Sequence, residues 1–140
     1  MSNGGLTDLL CVHPPIFKDC SFAGYIGSVE LLQTIKRVVG ALREQNPDLI
    51  YVCDPVLGDD GRLYLPGEMV GLYRSDILPL ATIITPNQFE AEQLTGASVA
   101  TEQEALQACR ALMERGPKTV VSIPPQQAVS SAFNGCSRVA

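Results

Sequence analysis

The sequence predicts an α/β protein with a sheet of mostly parallel strands and helices on the faces of that sheet. Three short apolar runs, at 49–53, 81–85 and 119–123, have the length and continuity of buried strands. Helical patterns separate these runs, and such alternation is typical of parallel sheets joined by right-handed crossovers. With 140 residues, of which 46% are hydrophobic, the chain is long enough for one domain with a core.

The first predicted helix begins at Ser28, whose hydroxyl can cap a helix N-terminus. Apolar residues then recur at helical spacing, which predicts one buried stripe along the helix. The Asn46–Pro47 pair ends the helix because proline disfavours helical geometry in the residue before it. The stripe consists of Leu31, Leu32, Ile35, Val38, Val39 and Leu42.

Between the first two predicted strands, the segment 65–80 indicates only a short, poorly formed helix. Pro86 follows the strand at 81–85 and suits the first turn of the next helix, where its missing N–H costs nothing. That helix is expected to run to Gly96, a residue type that readily adopts the left-handed conformation found at helix ends.

Thr101 and Glu104 have the spacing of a capping box and open a further helix, which stops at Gly116. The core face predicted for this helix consists of Leu106, Cys109, Leu112 and Met113. The patterns divide the chain into an irregular lead-in at 1–21, a partial α/β domain at 22–123 and an irregular tail at 124–140.

Charge and composition exclude several classes of function. The net charge is −5 and no basic run exceeds two residues, so neither nucleic acid nor a membrane is expected as a partner. No apolar stretch is long enough to span a bilayer, and the N-terminus lacks a secretory-signal pattern. The five cysteines are odd in number and lack CxxC spacing, which predicts reduced thiols in the cytoplasm, with Cys53 and Cys109 as small core residues. His13, the single histidine, is expected in a surface loop.

Oxygen-bearing side chains follow two of the predicted strands. Asp54 comes directly after the strand at 49–53, Thr85 ends the strand at 81–85, and Asn87 follows that strand. Ligands of open parallel sheets bind beyond the carboxyl ends of the strands. Together with Asp59 and Glu90, these side chains offer the hard oxygen ligands that Mg²⁺ prefers. Asn87 and Glu90 also share the first turn of a helix, which favours anions.

Plain alternatives exist for each of these residues. Asp54–Pro55 is also a turn initiator, Asp59–Asp60–Gly61 is a common turn composition, and Glu90 is also an ordinary first-turn acid. The chain contains neither a GxxxxGK[ST] loop nor a GxGxxG motif. The residues by themselves therefore indicate only a magnesium–nucleotide edge on a parallel sheet.

Longer motifs point to a family. The segments "NPDLIYVCDPVLGDDGRLYLP" and "LPLATIITPNQFEAEQLTG" resemble the pyridoxal kinases of the ribokinase-like superfamily, and "AGYIGSVELLQTI" resembles their TGY segment. The resemblance covers about residues 22–121. Hydroxymethylpyrimidine kinases share DPV and the TPN-x-x-EAE-x-LTG pattern but usually carry Leu-Pro where this chain has Gln88–Phe89. The fold implied is a partial three-layer αβα sandwich.

The resemblance implies ATP-dependent phosphorylation of the 5′-hydroxyl of pyridoxal, a reaction of vitamin B6 salvage. It implies ATP and Mg²⁺ as cofactors, with a monovalent cation as a further candidate, and a homodimer for the complete enzyme. By resemblance, the ATP contacts are Asp54, Tyr64, Asn87 and Glu90, and the metal contacts are Asp59, Thr85 and Glu90. Tyr25 matches the tyrosine that packs against the pyridine ring, and Gly58 and Gly61 would let a flap over the nucleotide bend.

The sequence departs from the family in one respect that concerns catalysis. The family's glycine-rich GTGD turn, which carries the catalytic aspartate, has no counterpart in these 140 residues, so no catalytic residue is assigned. The chain resembles a middle segment of the family, and we expect it to lack pyridoxal kinase activity on its own. Two alternatives stay open: a non-catalytic nucleotide-binding fragment of the same enzyme, and a relative of the hydroxymethylpyrimidine kinases.

Overall fold

The computed structural model describes residues 20–122, and its strands and helices alternate along the chain. In chain order the elements are β1 (Cys20–Ala23), α1 (Val29–Gln45), β2 (Ile50–Cys53), β3 (Gly58–Asp59), β4 (Arg62–Leu63), α2 (Gly67–Leu72), a π-helical turn (Tyr73–Ile77), β5 (Ile83–Ile84), α3 (Gln88–Thr95), α4 (Glu102–Met113) and β6 (Thr119–Val120). The predictions for His13, for Ile123 and for the tail at 124–140 lie outside the described residues.

Four of the strands form one parallel sheet in the order β1-β2-β5-β6. Val52 lies opposite Ile83 and Cys53 opposite Ile84, and the other two neighbouring pairs are also parallel. The strand order follows the chain order, so each connection carries the chain one strand further in the same direction. The prediction of a parallel sheet built from alternating helices and strands is therefore confirmed.

The first strand was not predicted. Residues Cys20–Ala23 pair with Ile50–Cys53, although the pattern assigned the chain up to residue 21 to an irregular lead-in. The run is only four residues long and is interrupted by Ser21, so its composition gives only a weak strand signal. The run forms a strand because it pairs with β2, and its own sequence does not reveal that pairing.

Helix α1 begins and ends where the sequence predicts. The Ser28 side chain accepts a hydrogen bond from the backbone N–H of Leu31 at 3.2 Å, and the helix ends at Gln45, before Asn46. Leu32 and Val39 are fully buried, but Leu31 is 44% exposed. The prediction that Leu31 belongs to the core stripe was wrong, because only one face of the helix packs against the other residues in the described range 20–122.

In helix α4, as in α1, the predicted start is correct and the predicted core face is wrong at one leucine. Thr101 caps it and forms the predicted capping box with Glu104. Leu112 is fully buried, and Ala108 is buried beside it, whereas Leu106 is 46% exposed. The predicted core face was therefore wrong at Leu106, since the smaller alanine is the residue that packs inwards. Cys109 is only half-buried.

The buried side chains form one core that joins every helix to one face of the sheet. Tyr51, Cys53 and Ile84 contribute from the strands, and α1 to α4 and the π-helical turn all contribute buried residues. The strand residues that alternate with these, Ile50 and Val52, lie outside the core, and Ile50 is 42% exposed. The described residues thus provide the sheet and the helix layer on one of its faces. Within residues 20–122, no helix combines the length and apolar character needed to cross a membrane.

Candidate functional site

The carboxyl ends of β2 and β5 bring two of the predicted site residues together. The backbone N–H of Asp54 donates to the carbonyl of Ala23 at 2.9 Å, and that of Thr85 donates to the carbonyl of Cys53 at 3.1 Å. These bonds hold both residues at the same edge of the sheet. The Thr85 hydroxyl donates to Asp54 Oδ1 at 3.2 Å. A carboxylate and a hydroxyl from neighbouring strands therefore share one location.

Asn87 and Glu90 lie at the same edge, where they form the start of α3. Asn87 is the N-cap, so Pro86 precedes the cap and the prediction that it occupies the first helical turn was wrong. The Asn87 Oδ1 accepts from the N–H of Glu90 at 2.8 Å, and Glu90 Oε2 accepts from the N–H of Asn87 at 2.9 Å. This is a capping box, the same arrangement as at the start of α4.

The same two side chains also bind the segment that leads into β3. Glu90 Oε1 accepts from the N–H of Leu57 at 3.0 Å, and Asn87 Nδ2 donates to the carbonyl of Gly58 at 2.9 Å. Glu90 is only 4% exposed. Burial raises the pKa of the Glu90 carboxyl above its ordinary value, hydrogen bonds from the backbone oppose that rise, and the nearby Asp54 adds to it.

Asp59 lies in a two-stranded antiparallel hairpin formed by β3 and β4. The turn residues Asp60 and Gly61 have φ values of 47° and 74°, the combination of positive φ that a type I′ hairpin turn requires. The Asp59 carboxylate is exposed and accepts the N–H of Asp60 at 2.8 Å. Among the hydrogen bonds within residues 20–122, none joins Asp59 to the other predicted site residues. The structure therefore brings Asp54, Thr85, Asn87 and Glu90 together and leaves Asp59 on the hairpin beside them.

The two predicted aromatic contacts lie on the surface. Tyr25 follows β1 and Tyr64 follows β4, and each is 58% exposed. The Tyr25 ring lies against Gly27, where an added Cβ would be 2.9 Å from the ring. The backbone N–H of Tyr64 donates to the carbonyl of Leu57 at 2.8 Å, so the hairpin fixes the position of Tyr64. Both rings are accessible to a ligand.

An apolar layer with a few polar atoms lies beneath the edge. Tyr51 and Tyr73 are fully buried, and neither hydroxyl has a hydrogen-bond partner within the described part of the chain. Burial raises the pKa of both phenols, and it raises the pKa of the Cys53 thiol to about 12. Cys53 is therefore a packing residue and not a nucleophile at neutral pH.

The side chains at this edge offer a small set of donors to a metal ion. Across residues 20–122, no group of three or more histidine, cysteine, aspartate or glutamate side chains converges on one point. Mg²⁺ typically takes only one or two carboxylates and completes its shell with water and substrate phosphates. Asp54 with the Thr85 hydroxyl fits that kind of site. Both Glu90 oxygens already accept backbone N–H groups, so Glu90 has less capacity left for an ion.

Backbone groups make the main contacts at this site that the sequence did not reveal. The N–H of Leu57 and the carbonyl of Gly58 anchor the hairpin to the start of α3. The signal that would have revealed this is the Asn-x-x-Glu spacing at Asn87 and Glu90, which has the form of a capping box. The same spacing predicts the capping box at Thr101, whereas Asn87 and Glu90 are interpreted above as ligands, with an ordinary first-turn acid as the alternative for Glu90.

Comparisons with known proteins agree with this architecture. The chain matches the family model for phosphomethylpyrimidine kinase over residues 16–127. It is 54% identical over 98 residues to the pyridoxal kinase of Arabidopsis thaliana, an alignment that covers 70% of this chain and 32% of that relative.

Two solved structures are similar to this one. The pyridoxal kinase from Leishmania donovani in complex with ADP and pyridoxamine has a TM-score of 0.68 and 35% identity, over 72% of this chain and 36% of that one. The pyridoxal kinase from Entamoeba histolytica has a TM-score of 0.70 and 31% identity, over 77% and 39% of the two chains. The α/β fold expected from the sequence is thereby confirmed as ribokinase-like. This chain spans about a third of the length of the curated relatives that it matches.

Proposed function

The chain belongs to the phosphomethylpyrimidine kinase family, and from that membership we propose that its carboxyl edge binds the phosphates of ATP and a Mg²⁺ ion in a pyridoxal kinase. The reaction is transfer of the γ-phosphoryl group of ATP to the 5′-hydroxyl of pyridoxal, in vitamin B6 salvage. The motif resemblance and the 54% identity to a pyridoxal kinase support this substrate class. The relative solved with ADP and pyridoxamine supports a nucleotide and a pyridine vitamer as ligands.

The observation that carries the proposal is the contact between Asp54 and Thr85. Two adjacent parallel strands end in a carboxylate and a hydroxyl only 3.2 Å apart, at the edge where such sheets bind ligands. Phosphoryl transfer depends mainly on positioning and on neutralising phosphate charge. When bound, Mg²⁺ supplies that neutralisation.

Five of the predicted residues have a direct part in the proposal. Asp54 and Thr85 hold the hydrated ion, and Asp59 faces the same ion from the hairpin. Tyr64 lies over the nucleotide, and Tyr25 stacks on the pyridine ring of the vitamer. Both tyrosines are exposed enough for these contacts. A monovalent cation, a cytoplasmic location and a homodimer of the complete enzyme belong to the same proposal and rest on the family resemblance.

The nucleotide part is tested by calorimetric titration of the 140-residue chain with the ATP analogue AMP-PNP, in Mg²⁺ and in EDTA. We expect binding that requires Mg²⁺ and that Asp54→Asn weakens by about 10- to 100-fold, the usual cost of disturbing a metal site. The matched control is Asp48→Asn, which removes the same charge from an exposed position before β2, at the opposite end of the strand. Equal binding with and without Mg²⁺, or equal losses in the two variants, would refute the proposal.

The substrate part is tested by measuring ADP release with pyridoxal and, side by side, with hydroxymethylpyrimidine. The second substrate is included because the matching family model is that of phosphomethylpyrimidine kinase. Mg²⁺-dependent binding without turnover would favour the non-catalytic alternative and agree with the inactivity expected for these 140 residues from the sequence. Pyridoxal-dependent turnover that Asp54→Ala abolishes would overturn that expectation.

A further inference from the structure

We propose that Asn87 and Glu90 act as a positioning clamp that holds the β3–β4 hairpin against the start of α3. The function of the clamp rests on the proposed function, because the hairpin carries Asp59 and Tyr64, two residues assigned above to the ion and the nucleotide. The clamp itself is defined by hydrogen bonds alone. These bonds join Glu90 to the hairpin, whereas the family resemblance assigns Glu90 to ATP and the metal.

The clamp binds one donor and one acceptor in consecutive residues. Glu90 Oε1 accepts the N–H of Leu57 at 3.0 Å, and Asn87 Nδ2 donates to the carbonyl of Gly58 at 2.9 Å. The two clamp residues are themselves joined by both bonds of the capping box. Two hydrogen bonds thus connect the hairpin entry with the helix start, and two more hold the clamp residues against each other.

Packing around the clamp leaves little freedom. Leu57 and Gly58 are buried, and Glu90 is 4% exposed. A Cβ on Gly58 would be 2.1 Å from the carbonyl oxygen of Arg62 and 2.7 Å from the ring of Phe89. The entry segment is therefore enclosed by β4 on one side and by α3 on the other. A buried carboxylate whose oxygens both accept backbone N–H groups is suited to fixing a backbone in place.

The chain contains a matched comparison for this device. Thr101 and Glu104 form the same capping box at the start of α4, and Glu104 Oε2 accepts the N–H groups of Thr101 and Ala100 at 3.0 and 2.8 Å. Glu104 is more exposed than Glu90, and both of its bonds stay next to its own helix start. Only the box at Asn87 and Glu90 reaches a distant hairpin. The distant contact therefore distinguishes a clamp from an ordinary cap.

The experiment compares amide hydrogen exchange of the segment 57–64 in the full 140-residue chain and in two glutamine variants. Glu90→Gln replaces one acceptor oxygen by an NH₂ group, so one of the two backbone N–H groups loses its partner. Loss of a buried hydrogen bond to a charged group is expected to speed exchange of the hairpin by about 10- to 100-fold. Glu104→Gln should leave hairpin exchange unchanged, and exchange of α1 reports global stability in both variants.

A second variant keeps the helix cap intact. Asn87→Asp retains an oxygen that caps α3, since aspartate and asparagine cap equally well, but it removes the donor to the Gly58 carbonyl. Hairpin exchange should again be faster while α1 is unaffected. If Glu90→Gln does not fold, Asn87→Asp decides the question. Hairpin exchange equal to that of the parent chain in the variants that fold would overturn the clamp.

Nucleotide binding separates a clamp from a direct ligand. In Glu90→Gln, AMP-PNP affinity should fall while its dependence on Mg²⁺ concentration stays that of the parent chain, because the ion site itself is intact. A shifted Mg²⁺ dependence with an unchanged hairpin would show that Glu90 acts at the ion and would overturn the proposal. If the parent chain binds no AMP-PNP, the proposed function fails, and the exchange measurement still decides whether the clamp exists.

Discussion

Replacing Gly58 by alanine is expected to destabilise the protein by about 3 kcal/mol or more, because the backbone leaves no room for a side chain there. The added Cβ would lie 2.1 Å from the Arg62 carbonyl oxygen, and an ordinary contact begins at 3.4 Å. The carbonyl would have to move by about 1.3 Å. Arg62 pairs with Asp59 across the hairpin, so this movement opens the β3–β4 ladder.

The expected loss of stability in Gly58→Ala follows from the contacts that the displaced Arg62 carbonyl would break. Overpacking in a tight interior typically costs about 1–3 kcal/mol. Opening the ladder, or pulling the entry segment from Asn87 and Glu90, loses hydrogen bonds worth about 1 kcal/mol each. Two such bonds together with the overpacking give the stated loss.

Two other glycines provide controls, and urea unfolding followed by circular dichroism provides the assay. Gly61 has a φ of 74° but no atom within 4 Å of an added Cβ, so Gly61→Ala should cost only the conformational strain of about 1–2 kcal/mol. Gly40 lies within α1 with equally open space, so Gly40→Ala should stabilise the protein by about 0.5–1 kcal/mol. If Gly58→Ala does not fold alone, it is measured in the Gly40→Ala background.

Unfolding of Gly58→Ala and Gly61→Ala at the same urea concentration would refute the clash expected at Gly58. Equal midpoints would mean that the hairpin entry can move away from Arg62 at little cost. The tight fit between the hairpin and α3 would then not be a property of the folded protein.

Further predictions concern the core. Leu112 is fully buried, so Leu112→Ala should lower the free energy of unfolding by about 2–5 kcal/mol. Leu106 is exposed, so Leu106→Ala should change it by less than about 1 kcal/mol. Similar losses for the two variants in urea titrations would contradict the observed orientation of α4. Tyr51→Phe removes a buried hydroxyl without a partner and should leave the unfolding midpoint unchanged or raised, since the hydroxyl pays a desolvation cost; a loss above about 1 kcal/mol would indicate a hidden partner. Because burial raises the pKa of the Cys53 thiol to about 12, Cys53 should react with iodoacetamide at pH 8 at least about tenfold slower than a free thiol of ordinary pKa, as followed by peptide mass spectrometry. Its labelling should rise as pH approaches that pKa or when urea unfolds the chain, and rapid labelling of the native protein would contradict the burial.

Local signals in the sequence were sufficient for most helix boundaries. Ser28 and Thr101 cap their helices with short-range bonds, and Gly96 ends α3 with a φ of 78°. These features depend on a few neighbouring residues, so the sequence contains all the information that they require. Errors occurred at Leu31 and Leu106, because helical spacing marks an apolar stripe but does not say how much of it another layer covers.

The site required information that is not local. The sequence placed Asp54 and Thr85 at strand ends, and strand pairing then made them neighbours as expected. What the sequence did not show is that Glu90 bonds to Leu57, 33 positions earlier in the chain. That contact depends on the hairpin folding back onto α3. Strand β1 was missed for a related reason, since pairing with β2 and not composition defines it.

The alternation along β2 has a practical consequence for protein engineering. Tyr51 and Cys53 point into the common core, whereas Ile50 and Val52 lie outside it. Ile50 is 42% exposed, so a saturation library of this strand in the 140-residue chain should accept lysine or glutamate at position 50 and reject them at positions 51 and 53. A dye or an affinity handle can therefore be installed at position 50 while the packed side of the strand keeps its native residues.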